Sequence, residues 1–380
     1  MLPRTLNDGS RLALPAGLAR RSLGRDDIQE DDSIGAEFAV MIPVCKLPSL
    51  ASALLLLFGI ASASAQTPAE FFKGKQIALL IGFGPGGEDD LWGHLVARHL
   101  TAHLPGNPAV VAQNAPGSGG LLVANRIYNT APKDGTAIGM INRGIPFEPL
   151  LGGQGTQFDP LQMNYIGSPG RDTTVCAAHK DAPVKSMDDL YTRELTVGGT
   201  GSGADTAVYP EFLSALLGMK FRLVKGYRGS NEIQLAIERG EVQGICLAYD
   251  SLMRGNLARR GEINVLLQAA LAPDPRVHAP IALDAARSAE DRQSLELFFA
   301  RAAVGRPFVA PPGVPADRLA VIRQAFAAML RDPAFIDEAK RLELNVVPIG
   351  AQKILNIITK AYAAPPDIVR RTMRALGRAS

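Results

Sequence analysis

The chain is short of several things that commonly announce a function. Three cysteines among 380 residues cannot build a disulfide scaffold or a multi-cysteine zinc module. Charge of one sign is also scarce: 40 Lys and Arg face 37 Asp and Glu. That balance leaves neither an acidic tail nor the clustered basic footprint that nucleic acid demands. No apolar run approaches the roughly 20 residues of a membrane-spanning helix. G-x-x-x-x-G-K-[ST], H-E-x-x-H, C-x-x-C and G-x-S-x-G are all missing, which removes the commonest phosphate-loop, zinc, thiol and serine templates. What is plentiful is glycine and proline, 38 and 27 residues, in a chain that is 47% hydrophobic. Such a chain can bury a core and is not disordered. Its length exceeds one ordinary core and favours two domains.

The segment Met41 to Lys46 places one cation before the apolar run Leu50–Ile60, and Ala63-Ser64-Ala65 follows. A cation, a short apolar stretch and an A-x-A site describe an export leader cleaved after Ala65. Residues 1–40 are polar and of mixed charge, unlike a leader, so Met41 reads as the start of the native product. Beyond the leader, Cys176 and Cys246 read equally as a disulfide or as two buried thiols.

Strand, glycine loop and helix then recur. Lys75–Ile81 reads as a buried strand, followed by Gly82 to Gly87 and a helix from about Asp90 to His103. Ala109–Gln113 leads into Asn114 to Gly120, a helix over 121–128 and a strand over 137–141. A second, similar half begins at Thr173, with strands near 195–197, 221–224, 244–248 and 264–269 and helices near 204–217 and 232–239. Residues 301–310 read as an extended return to the first half. The pattern predicts parallel sheets covered by helices.

Each glycine loop closes a strand and opens a helix, where free N–H groups and the helix dipole attract anions. Several such loops facing one another imply a ligand cleft between two domains. Gly82-x-Gly84-x-x-Gly87 matches the dinucleotide fingerprint in form. However, Asn114 stands where a ribose-binding acid is expected, and Pro85 stiffens the loop. His94, His99 and His103 read better as a solvated helix face than as metal ligands. Trp92 reads equally as cleft wall or core. Arg143, with Asn142 just past a strand, can clamp a carboxylate, as can Arg228. Asp250 can accept a ligand hydroxyl or cap a helix.

Taken together, the loops resemble a known family. Phe83 to Asp90, Gln113 to Gly120, Ala131 to Thr136, Thr200 to Thr206, Gly226 to Ser230 and Ala310 to Pro315 are similar, in order, to the Bug family. These are the periplasmic solute-binding receptors of tripartite tricarboxylate transporters. The resemblance implies an α/β, two-domain periplasmic-binding-protein (Venus-flytrap) architecture without enzyme activity or cofactor. It implies capture of a small carboxylate in the periplasm and delivery to membrane permease subunits. Carried over, the ligand-binding set is Gly86, Gly87, Asp90, Ser118, Gly119, Thr200, Gly201, Ser202, Asp205, Tyr227, Arg228 and Gly229. The residue-level reading adds Asn142, Arg143 and Asp250.

Glu88 and Asp89 depart from the family's first loop. Unless they point outward or cap the helix, they disfavour a dianion and favour a monocarboxylate or a neutral, amide or amine ligand. The expected domains are residues 66–172 with 297–380, and 173–296, hinged near 168–171 and 301–306, in a monomer. The rival from another class is an exported enzyme using Asp89, Asp90 and Arg143 on an anionic substrate. A third reading is a receptor that no longer binds and acts only as a scaffold.

Overall fold

The computed structural model describes residues 66–171, 173–201 and 203–378. The expected leader at 41–65, residues 1–40 and Ser202 lie outside that set. The first half runs α1 (Pro68–Phe72), β1 (Gln76–Ile81), α2 (Glu88–His103), β2 (Ala109–Asn114), α3 (Leu121–Asn129), β3 (Ala137–Met140) and β4 (Asn164–Ser168). The second runs β5 (Thr174–His179), β6 (Leu195–Gly199), α4 (Asp205–Leu217), β7 (Phe221–Lys225), α5 (Ser230–Glu238), β8 (Gly244–Ala248), α6 (Tyr249–Arg254), α7 (Asn256–Arg259) and β9 (Ile263–Ala269). The return comprises α8 (Ala289–Val304), β10 (Phe308–Ala310), α9 (Ala316–Met329), α10 (Pro333–Arg341), β11 (Ile349–Gly350), α11 (Ala351–Tyr362) and α12 (Pro366–Ala375).

Two sheets result. One has the order β11-β4-β10-β3-β1-β2 and the other β7-β6-β8-β5-β9. β1 forms where Gln76–Ile81 supplies an apolar run, and it stops at Gly82, where a Cβ would meet the Gly120 Cα at 2.7 Å. α2 ends at Leu104, whose extended ψ of 132° is what the following proline imposes.

The parallel sheet expected from the strand–loop–helix repeats is present: β1 pairs parallel with β2 and β3, and β6 with β7 and β8. The later strands depart from it. β10 lies antiparallel to β3 and β4, and β5 is antiparallel to both β8 and β9. The cause is connectivity. β3 and β4 run toward the second half, so a strand returning from that half enters the sheet from the opposite end.

The extended reading of 301–310 also fails in part. Residues 301–304 form the last turn of α8, and only Phe308–Ala310 is strand. α8 is buried on two sides, which erases the one-faced periodicity that marks a surface helix. Its Leu297, Ala300 and Val304 join a core with β3 and β4 residues. Its Leu295, Phe298 and Phe299 join the core of the second sheet. There Phe298 stacks on Phe212 with ring centroids 4.0 Å apart.

Two segments connect the halves, one after β4 and one after α8, and they touch. The Ser168 hydroxyl donates to the Gly170 carbonyl and accepts the Arg306 N–H, both at 2.8 Å. Gly305 adopts φ 71°, and a Cβ there would lie 2.3 Å from the Gly170 carbonyl oxygen. Glycine is therefore required at that crossing.

Of the two cysteine alternatives, the structure takes the disulfide. Cys176 on β5 and Cys246 on β8 are paired across the ladder with Cα atoms 4.0 Å apart. Of the α2 histidines, His94 does lie on an exposed face, but His99 bonds Glu338 at 2.6 Å and His103 bonds Asp332 at 3.0 Å, clipping α10 onto α2. Trp92 is fully buried in the core of the first sheet.

Candidate functional site

A cavity of about 800 Å³ lies between the carboxyl-end loops of the two sheets. The first half supplies residues 82–89, 116–119 and 141–143, with Gly305 and Arg306 from the returning segment. The second supplies Thr200, Gly201, residues 204–206, residues 227–232 and Ser251. The loops lie here because every strand–loop–helix unit points its loop at the same edge of its sheet.

Among the helical segments that begin at this cavity are four: α2 after Gly87, the short turn of Ser118–Gly120 that leads into α3, α4 after Ala204 and α5 after Gly229. None of the four is capped by the side chain of the residue before it. First-turn N–H groups lack intrahelical acceptors, so these starts present donors and positive dipole ends.

Most residues singled out from the sequence meet here. Gly86, Gly87, Ser118, Gly119, Asn142, Arg143, Thr200, Gly201, Asp205, Tyr227, Arg228 and Gly229 all line the cavity. Asp90 does not. It sits beneath the first loop, where its carboxylate accepts the Gly86 N–H at 2.8 Å and the Asn114 amide at 2.6 Å. Asn114 therefore braces the loop instead of meeting a ribose. Asp250 is also off the site. It lies in the first turn of α6, beside a separate cavity of about 430 Å³, and pairs with Arg276 at 2.7 Å. It is not among the described residues that line the cleft.

The charges are arranged differently from the simple anion clamp. Arg143 is buried, and its guanidinium is held by Asp205 at 2.6 and 2.7 Å, with a further bond to the Thr174 hydroxyl at 3.1 Å. An internal carboxylate thus stands where a ligand's was expected. Since Arg143 follows β3 and Asp205 opens α4, the pair also ties the two halves together.

Glu88 turns inward rather than outward. It bonds Arg306, Arg254 at 2.6 Å, the Ser251 hydroxyl, and the Trp92 ring N–H at 3.3 Å. Burial pushes its carboxyl up, but Arg306, Arg254 and Ser251 overcome this and hold it down at about 2. Because Ser251 and Arg254 belong to α6, Glu88 is a second tie between the halves.

Among the described residues, Asp89 has a single 3.3 Å contact, to Arg306, and its side chain is 31% exposed. Burial, with Glu88 and Asp205 as like-charged neighbours, pushes it up to about 6 against Arg306 and Arg143. Arg228 and Glu232 stand at the mouth, where the Glu232 carboxylate accepts the Arg228 N–H at 2.6 Å.

Sequence reasoning did not identify Arg306, Arg254 or Ser251 as site residues. Their partner Glu88 lies 163 or more positions away in the chain, so no local pattern could have shown them. Among the described residues, no group of three or more His, Cys, Asp or Glu is placed to hold a metal ion.

Comparison with known proteins agrees with this architecture. A UPF0065 protein from the gbd 5' region of Cupriavidus necator is 29% identical over 49% of this chain and 58% of its own length. A UPF0065 protein of Bordetella pertussis is 25% identical over 78% of this chain and 88% of its own. Among solved structures, the periplasmic binding protein BugD superposes with a TM-score of 0.62 at 17% identity, covering 79% of this chain and 97% of BugD. The R. palustris protein Rpa4515 with adipate gives 0.61 at 21% identity, over 79% and 97% of the two chains. MatC of Rhodopseudomonas palustris with bound malate gives 0.59 at 17% identity, over 80% and 99%. A family model described as tripartite tricarboxylate transporter family receptor matches residues 95–372. The sheets, the facing loops and this match converge, and the chain belongs to the receptor family of the tripartite tricarboxylate transporters.

Proposed function

We propose that the chain captures one small carboxylate in the cavity between its halves and delivers it to the membrane permease subunits of a tripartite transporter. It does so as a monomer in the periplasm, after cleavage behind Ala65, without catalysis or cofactor. The observation that carries this reading is the set of four uncapped helical starts around one 800 Å³ cavity. Donors of that kind suit the oxygens of a carboxylate. Adipate and malate, named with two fold relatives, set the size of molecule to try first. In this reading the domains are residues 66–172 with 297–380, and 173–296. They move about the touching segments at Ser168–Gly170 and Gly305–Arg306. The lining residues from Gly86 to Gly229 contact the ligand.

One observation favours a second reading. The cavity floor carries Glu88, Asp89 and Asp205 against Arg143 and Arg306, a balance that suits a neutral, amide or amine ligand. A thermal-shift screen of residues 66–380 against organic acids, amides and amines separates the two. A ligand at 100 times its dissociation constant stabilises by about 2.7 kcal/mol. A carboxylate that raises the melting temperature, with the rise lost in Gly87→Asp, which sets an acid at the start of α2 where an added Cβ meets nothing within 4 Å, supports the first reading. A response confined to neutral or cationic compounds replaces it with the second.

A further inference from the structure

We infer that Asp89 sets the charge of the ligand the cavity accepts, and that an anionic ligand is captured together with one proton taken up by Asp89. This rests on the carboxylate reading above and deepens it. Among the described residues, the other two acids on the floor are each held by an arginine. Glu88 is gripped by Arg306 and Arg254 and by the Ser251 hydroxyl. Asp205 is gripped through one oxygen by two nitrogens of Arg143, and its other oxygen lies 3.9 Å from Arg301.

Of the described acids there, Asp89 has one longer contact, to Arg306, and part of its side chain open to the cavity. The charged groups that face it are Glu88 on its own helix, Arg306 from the segment after α8, Arg143 from the turn after β3 and Asp205 from α4. Arg228 and Glu232 line the same cavity from the α5 side. An entering carboxylate adds a fourth negative charge to this floor, and like charges at short range cannot all stay ionised. The most weakly held acid gives way. A solvent proton adds to a carboxylate oxygen of Asp89, which then donates a hydrogen bond where it would have repelled. Its raised proton affinity already places the free group near the threshold, at about 6.

The test is isothermal titration calorimetry of residues 66–380 with acetate, malate and adipate from pH 6.5 to 8.5, where these probes are fully ionised. The titrations are repeated in buffers of different ionisation enthalpy to count protons. Proton-linked capture weakens binding about tenfold per pH unit above the free group's midpoint, close to a hundredfold across the window, with about one proton taken up. Asp89→Asn, which carries no titratable group, removes both the slope and the uptake. Its affinity at pH 8.5 then matches or exceeds that of the parent at pH 6.5. A bound probe with a flat profile and no proton uptake overturns the inference and leaves the receptor reading standing, as does a slope that survives in Asp89→Asn. If none of the three probes binds either chain at any pH, the carboxylate reading itself falls and takes the inference with it. The proton count is made on the unaltered chain, so it decides the matter even if the variant folds poorly.

Discussion

Replacing Glu88 by Gln keeps the shape of the side chain and removes its charge. Arg306 and Arg254 then face each other across a buried amide. Glu88 is only 7% exposed, and its guanidinium partners are 10% and 17% exposed. Breaking a buried ion pair from one side costs about 3–5 kcal/mol, because the remaining charge is left without a counterion. Proton linkage gives a similar figure. A carboxyl drawn from its ordinary value of 4.5 down to about 2 contributes roughly 3 kcal/mol at 1.36 kcal/mol per unit. Arg306 can turn toward Asp89 in the variant, which offsets part of the loss, so the lower end of the range is expected.

The sign with pH follows from the depressed folded-state value. The stabilisation is fully present above the unfolded value of 4.5 and is lost as pH falls toward 2. Urea unfolding of both chains should therefore differ by about 3 kcal/mol at pH 7 and converge between pH 4.5 and 2. A difference below 1 kcal/mol at pH 7, or one that widens in acid, would refute the view that Glu88 holds the halves together through its charge.

Gly305→Ala places a methyl group against the Gly170 carbonyl and the Ser168 hydroxyl, at a backbone angle that L-residues rarely adopt. Strain and clash together should cost about 2–4 kcal/mol, read by chemical denaturation; an unchanged midpoint would show that the two connecting segments can part freely. Reducing the Cys176–Cys246 bridge frees a loop of 70 residues in the unfolded chain. The expected loss is about 4 kcal/mol. Oxidised and reduced protein melting together, or two free thiols in the purified oxidised chain, would contradict it.

Much of the fold was legible because the relevant physics is local. β1, β2, β3 and β8 are apolar or β-branched runs that end at a turn, and each lies within a residue or two of its expected place. The loops that line the cavity were legible for the same reason, since glycine at a strand's end is a local signal. Strand direction was not. Whether β5 or β10 runs parallel depends on where the chain re-enters a sheet. β4, Asn164-Tyr165-Ile166-Gly167-Ser168, was missed because it is short and half polar. α8 was missed because Asp291, Ser294 and Arg301 are buried within it, and charged residues ordinarily mark a solvent face. The same limit applies to the site. Glu88 and Asp89 are neighbours with the same chemistry. One is held by Trp92 on its own helix and by Ser251, Arg254 and Arg306 far along the chain, and the other by one contact among the described residues.

The burial of α8 on two sides bears on how such a cleft can work. Phe298 and Phe299 are packed into one core while Leu297, Ala300 and Val304 are packed into the other. A hinge made only of loose backbone would let the cleft gape at almost no cost. Here α8, beside the two connecting segments, is a keel shared by both halves. Any wide opening must drag apolar side chains past one of their partners, at roughly 25 cal/mol for each Å² newly wetted. Opening about the proposed hinge therefore costs in proportion to the apolar surface of α8 that it exposes.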